Sequence, residues 1–285
     1  MNGILVINKP KGYTSRDVVN IVSRKLNTKK VGHTGTLDPM AEGVLVLCIG
    51  NALKLCEMLT NHDKDYIASV ILGLGTDTLD VTGRILEDIS CHIDTNEIES
   101  VLFSFNKTYM QEVPIYSAVK VNGKKLYEYA RNNIPVELPK KEVTISNIEL
   151  IGDVKYNNYH TEFTFSSTVS KGTYIRSLIR DVGASLGCPA VMSSLIRTRQ
   201  GNFSLKDACS LDDFENGNYT FISPLEAFPN ISTMTVDSEL LFKIKNGAPI
   251  DKFTDCNEKF IVDIDNNLIA IYRNTDDKAR VYKMF

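Results

Sequence analysis

The chain has 285 residues, 43% hydrophobic and 24% charged, with no tryptophan, a composition that suits a globular protein of one large domain and a small one. Its first residues are too few and too mixed for a signal peptide, and no apolar run approaches a membrane span, so a cytoplasmic protein with no membrane partner is expected. The net charge of −3 argues at first against a nucleic-acid partner, but the charge is unevenly spread: residues 1–60 carry +4, 61–105 carry −7, 106–150 carry +2, 151–200 carry +3 and 201–285 carry −5. Such polarity allows one basic face for phosphates while the acidic remainder maintains solubility. The six cysteines are scattered and form no CxxC pair, so reduced thiols are expected and a zinc site is not.

In chain order, residues 4–7 read as a short buried strand, followed by a turn and a helix that Ser15 could cap, with Val18, Val19 and Val22 on one face. Residues 43–50 read as a core strand and 51–60 as a short helix. Strands are expected at 66–73 and 83–86 around the acidic loop GTDTLDVTG, then an amphipathic helix over 96–105. Residues 107–141 carry seven basic side chains and little apolar periodicity, the pattern of a long functional loop. Residues 143–152 and 161–167 alternate like paired strands, and 174–186 is helical up to Gly187. A junction is expected near 223–229. Beyond it come a helix at 238–246, a hairpin over 260–272 turning at Asn266-Asn267, and a final strand at 280–285. About 55 residues make a thin core, so this tail should pack on the main domain.

Within GHTGTLDPMAEGVL (32–45), Pro39 biases Asp38 toward an extended backbone, and Gly32, Gly35 and Gly43 permit tight turns or a close approach. A carboxylate at the edge of a core strand suits a nucleophile or base. An Asp-Pro pair taken alone is ordinarily just a turn, so the rest of the chain must decide.

That stretch resembles the aspartate motif of the TruB family of tRNA pseudouridine synthases. INKPKGYTSRDVV (7–19), PIYSAVKVNGKKLYEYAR (114–131), SKGTYIRSLIRDVG (170–183) and LIRTRQGNF (195–203) resemble its other motifs in order. The resemblance covers 7–203 and weakens after about residue 230. It implies an α+β pseudouridine synthase fold, with a central mostly antiparallel mixed sheet flanked by helices and loops. A catalytic domain over 1–230 would contain a thumb-like RNA-binding loop at 107–141, and 231–285 would form a small PUA-like β-rich domain. The implied function is isomerisation of uridine 55 in the tRNA T-arm loop, with a possible accompanying role in tRNA folding. It needs no cofactor, metal or obligate protein partner, and a monomer is expected.

By the same resemblance Asp38 is the essential carboxylate, as nucleophile or as base, and Arg176 pairs with it. Tyr66 would stack on the flipped uracil, and Tyr174 would be a second pocket tyrosine. Leu195 would supply apolar wall, though core packing explains it equally well. His33 would slot into the RNA loop. Lys64, on the same strand face as Tyr66, could contact phosphate or fix the loop. Lys9, Lys120, Lys124, Arg131, Arg197 and Arg199 are phosphate-contact candidates, together with Lys11, Lys125, Lys140 and Lys141. Val169 and Ile196 depart from the family pattern, which has a cysteine and a second arginine there. Two other readings stay open: a non-catalytic RNA-binding module, and an aspartate-nucleophile phosphotransferase. The second lacks a matching carboxylate pair for magnesium.

Overall fold

The computed structural model describes residues 2–157 and 159–285. Nine strands form one mixed sheet whose main path runs Gly3–Lys9, Glu42–Ile49, Ala190–Gln200, Lys64–Leu72, Thr161–Val169, Lys140–Tyr156 and Thr108–Glu112. Every neighbouring pair on this path is antiparallel except Glu42–Ile49 with Ala190–Gln200, which is parallel. The expected α+β class with a mostly antiparallel central sheet is therefore observed.

The burial pattern of each strand follows from what covers it. Along Lys64–Leu72, alternate residues are buried, which puts Lys64, Tyr66, Ala68, Val70 and Leu72 on one face. Glu42–Ile49 is covered on both faces and reads as a nearly continuous apolar run. One face carries Leu45, Leu47, Ala68 and Val70 against Val18, Val19 and Val22 of the Ser15–Lys25 helix and Leu178, Ile179 and Val182 of the Ile175–Ser185 helix. The opposite face carries Val44, Val46 and Cys48 against Leu55 and Phe228, and against Phe260 and Ile271 of the C-terminal tail. The tail itself is a four-stranded sheet of Thr233–Thr235, Glu258–Val262, Leu268–Asn274 and Ala279–Met284 around Val236, Ile244 and Tyr272. As expected for so short a segment, it packs on the larger body by lending Phe260 and Ile271 to a shared core.

Several expectations need correction. Thr14, not Ser15, caps the first helix: its hydroxyl accepts from the Asp17 N–H and the Asp17 carboxylate accepts from the Thr14 N–H. Ser15 is freed to bind the 37–38 turn. The basic segment 107–141 is not a loop throughout. Thr108–Glu112 pairs with Lys140–Thr144, so its two ends belong to the sheet. The excursion between them holds a Lys120–Lys125 hairpin and a short Leu126–Arg131 helix. Ala190–Gln200 is a central strand where the sequence reading placed only a motif. Cys91 and Cys188 are joined in a disulfide, against the expectation of reduced thiols, while Cys48, Cys56, Cys209 and Cys256 are free.

The parallel contact that brings Asp38 beside the Ala190–Gln200 strand depends on Gly43. Its φ is +103°, and a Cβ placed there would lie 2.2 Å from the Arg197 carbonyl oxygen. Gly43→Ala should therefore lower unfolding stability by at least ~2 kcal/mol; a denaturant titration with an unchanged midpoint would show that the strands have room to part.

Candidate active site

A cleft of about 590 Å³ opens where the turn after Val31–His33, the Lys64–Leu72 strand and the start of the Ile175–Ser185 helix meet. Asp38, Tyr66, Tyr174, Arg176, Leu195, His33, Lys64 and Arg197 all line it. Residues as far apart in sequence as His33 and Arg197 therefore share one cavity.

Asp38 sits in the turn before Glu42–Ile49, held on several sides. Ser15 is buried and grips residue 37 twice, accepting from the Leu37 N–H (2.8 Å) and donating to its carbonyl (3.2 Å). The Gly12 N–H donates to the Pro39 carbonyl, and the Ala41 N–H to the Asp38 carbonyl. The carboxylate meets the Arg176 guanidinium in a fork, Nε to Oδ2 at 2.9 Å and Nη2 to Oδ1 at 3.3 Å. Side-chain exposure is 7% for Arg176 and 35% for Asp38, so the cation is buried beneath a carboxylate that still faces the cleft. Two of the three remaining Arg176 N–H groups are used as well: Nη1 donates to the Thr78 carbonyl (2.9 Å) and Nη2 to the Tyr116 carbonyl (3.1 Å). The Thr78 turn is shaped by Asp80, whose Oδ1 accepts from the Thr78 and Thr82 hydroxyls and the Thr82 N–H. The guanidinium is thereby fixed in rotation, and with it the carboxylate.

Tyr66 is 7% exposed, and Tyr174 is half-buried just before the helix that carries Arg176. Burial pushes the Tyr174 phenol up from its ordinary pKa, so the hydroxyl keeps its proton. His33 lines the cleft with a buried Nδ1 that has no hydrogen-bond partner among the described residues. Burial, and then the charges of Arg16 and Arg197, lower its pKa, which keeps the ring neutral at neutral pH.

The cations expected at phosphates divide into two groups. Lys9 and Arg197 are 0% and 1% exposed, and the phosphate role expected for them is corrected. Lys9 Nζ donates to the carbonyls of Pro10 (2.9 Å), Tyr13 (2.7 Å) and Pro39 (3.4 Å). Arg197 donates to the carbonyls of Val44 (2.7 Å) and Gly35 (3.0 Å) and to the Tyr66 hydroxyl (3.4 Å). Both hold the chain on either side of Asp38. Lys64 is also buried and donates to the carbonyls of Thr60 (3.0 Å) and His62 (2.6 Å), which occupies it in fixing the loop. Arg199 is half-exposed but gripped by the Asp65 carboxylate at 2.5 and 2.6 Å, which weakens it as a phosphate ligand. Lys120, Lys124 and Arg131 are exposed on the 113–139 excursion, outside the cleft lining.

Sequence reading missed Tyr116, Ser117 and Tyr127, which close one side of the cleft from that excursion. Arg131 lies 5.3 Å and Lys125 5.4 Å from the Tyr127 ring centroid, tying its short helix and hairpin together. The alternation of aromatic and basic residues over 114–131 was the available signal. It also missed Lys171, an exposed cation at the cleft rim whose Nζ donates to Asn61.

Comparison with known proteins identifies the family. The model described as TruB family pseudouridylate synthase (N terminal domain) matches residues 23–175, and that of the tRNA pseudouridylate synthase B C-terminal domain matches 176–227. The chain belongs to the TruB family. It is 41% identical to tRNA pseudouridine synthase B of Bacillus subtilis over 99% of this chain and 93% of that protein. It is 46% identical to the protein of the same name from Bacillus velezensis, over 88% of this chain and 84% of that one. Two solved structures share the fold at TM-scores of 0.70 and 0.71, covering 99% of this chain and 84% of each of theirs, at 23% and 21% identity. They are an H/ACA RNP bound to a substrate RNA containing 2′-deoxyuridine and a Cbf5–Nop10–Gar1 complex.

For this TruB-family chain the buried lysines give a stability signature. Burial strips Lys9 of its hydration and pushes its pKa from 10.5 down to about 8, against the opposing pull of Glu42 and Asp38. Between those values the unfolded chain binds the proton more tightly than the folded one, so stability attributable to Lys9 rises with pH across that window. The unfolding free energy of the wild type relative to Lys9→Met should grow by about 2 kcal/mol between pH 7.5 and 9.5. A difference that stays flat or shrinks would mean that Lys9 titrates normally.

Proposed function

We propose that this chain isomerises uridine 55 in the loop of the tRNA T arm to pseudouridine, with Asp38 as the essential carboxylate. The observation that carries the reading is a carboxylate open to a cleft between Tyr66 and Tyr174 and clamped from below by a buried arginine fork. The names of the close relatives, all tRNA pseudouridine synthase B, supply the substrate class.

The reaction breaks the bond from C1′ to N1 of uracil, turns the freed ring, and joins C1′ to C5. The proton lost from C5 balances the one gained at N1, so no oxidant, reductant or group donor enters. Asp38 would act on C1′ as a nucleophile or at C2′ as a base, and the Arg176 fork would orient it for either route. Tyr66 would stack on the ring, Leu195 would exclude water beside it, and the protonated Tyr174 hydroxyl would donate near Asp38. Extruding a base costs a few kcal/mol, of the same order as the ~1–3 kcal/mol one aromatic stack returns. His33, neutral and at the cleft mouth, would fill the vacated stack without burying a charge.

Backbone contacts must then supply net affinity. Lys120, Lys124 and Arg131 on the excursion and Lys171 at the cleft rim are exposed and would do so, with the excursion closing as a thumb. We assign 1–230 to the catalytic domain and 231–285 to a PUA-like module, in a cytoplasmic enzyme acting as a monomer without cofactor. No described helix is long and apolar enough to cross a membrane.

Incubating a tRNA transcript with the protein and mapping carbodiimide-dependent primer-extension stops tests the assignment. A stop at position 55 should appear with the wild type and vanish with Asp38→Asn, while tRNA binding persists. Pseudouridine formed by Asp38→Asn would remove Asp38 from its role. Separately, with about five phosphates neutralised, log Kd should rise with log salt with a slope of ~3.5–4.5, and replacing Lys120 and Lys124 by alanine should reduce that slope. An unchanged slope would place the RNA elsewhere.

A further inference from the structure

Resting on the reading of Tyr174 as a cleft residue that meets the substrate, we propose that Gln111 is a positioning residue for the reaction. It sets Tyr174 through a hydrogen-bonded relay anchored on Asp181.

Gln111 lies in Thr108–Glu112, the strand from which the thumb-like excursion departs, and it is 1% exposed. Its Oε1 accepts from the Tyr174 backbone N–H at 2.8 Å. Tyr174 is the residue before the Ile175–Ser185 helix, with φ −103° and ψ 113°, and no side chain caps that helix through it. Its N–H therefore has no helical partner, and the torsions that aim its phenol into the cleft are held from outside the helix. An interior amide left unpaired is costly, so the Gln111 carbonyl favours one backbone setting at Tyr174 over its alternatives.

The direction of the glutamine amide is itself determined. Gln111 Nε2 donates to the Tyr109 hydroxyl (2.9 Å), and that hydroxyl donates to Asp181 Oδ2 (3.1 Å). Arg180 donates to the Asp181 carboxylate, its Nε and Nη2 reaching Oδ1 at 3.0 and 2.8 Å. A carboxylate only accepts, so Tyr109 must donate to it and must accept from Gln111. The glutamine is then obliged to turn its oxygen, not its nitrogen, toward Tyr174. Burial and the Asp181 charge raise the Tyr109 phenol, which keeps the proton this relay requires.

The same strip carries three further links between the excursion root and the helix. Ser177 Oγ donates to the Glu112 carbonyl (2.8 Å), Arg180 Nη1 to Glu112 Oε1 (2.9 Å) and Arg176 Nη2 to the Tyr116 carbonyl (3.1 Å). A shift of the root is thus delivered to the helix turn that bears Tyr174 and Arg176.

The test compares Gln111→Met, which keeps the shape and loses both polar ends, with Gln111→Glu, which keeps an acceptor for the Tyr174 N–H. Both are measured for tRNA affinity, melting temperature and single-turnover pseudouridine formation at saturating tRNA. Gln111→Met should slow the chemical step by about tenfold or more, since small misplacements of reacting groups are costly, while Kd stays within about threefold of wild type. Gln111→Glu should recover most of the rate. Should Gln111→Met fail to fold, Tyr109→Phe, which frees the amide to flip, carries the test and should slow the same step at unchanged Kd. The inference is overturned by an unimpaired step in the variant that carries the test, by equal losses in Gln111→Met and Gln111→Glu, or by a rate loss that only tracks weakened binding. A wild type with no activity on tRNA would instead fail the underlying functional reading.

Discussion

The site depends on one ion pair, the fork between Arg176 and Asp38. A carboxylate facing a cleft loses hydration when the cleft fills, and a fixed counter-charge beside it offsets part of that cost. Arg176 supplies the counter-charge from below, and bonds to the Thr78 and Tyr116 carbonyls restrain it from swinging away. The pair therefore joins three chain segments: the turn at 37–41, the acidic loop at 76–83 and the root of the thumb. Its cost is that removing either member strands the other, roughly 3–5 kcal/mol for a buried partner.

Around that pair, cations do structural work that their residue types conceal. Lys9 and Arg197 are buried and give hydrogen bonds to backbone carbonyls of the segments flanking Asp38, and buried Lys64 gives its own to the 60–62 loop. Carbonyl dipoles replace part of the lost hydration, and the depressed pKa values of the two lysines, both about 8, measure how incomplete that replacement is. The positive charge that remains favours an anionic ligand at the cleft. Buried lysines here hold loops around the cleft rather than meeting solvent.

Much of this was legible in the sequence, for reasons that differ by residue. Asp38 stood out because glycines and a following proline make an unusual frame, whereas Tyr66 was singled out by resemblance, with period-two alternation adding only that Lys64 shares its face. Arg176 could be placed only by resemblance, since an arginine in a helix looks solvated. The fates of Lys9 and Arg197 were hidden because their partners, carbonyls of Pro39, Gly35 and Val44, are assembled by tertiary contacts that no local pattern reports. Thr14 and Ser15 are equally good caps by type; the Asp17 three residues after Thr14 was the clue that decides between them. The strand at 190–200 was masked by its own serines, arginines and single threonine, which interrupt the apolar alternation. Gln111 carried no signal at all, because its importance lies in where its two ends meet Tyr174 and Tyr109.

The central claim is geometric: a swung-out uridine meets an Asp38 carboxylate still held by Arg176. A crystal structure of the protein with a T-arm stem–loop tests it most directly. The account predicts an extruded uridine between Tyr66 and Leu195, an Asp38 oxygen within about 3–3.5 Å of its C1′ or C2′, and the arginine fork unbroken. A T loop bound with its target base still stacked, or an extruded uridine lodged away from Asp38, would contradict it.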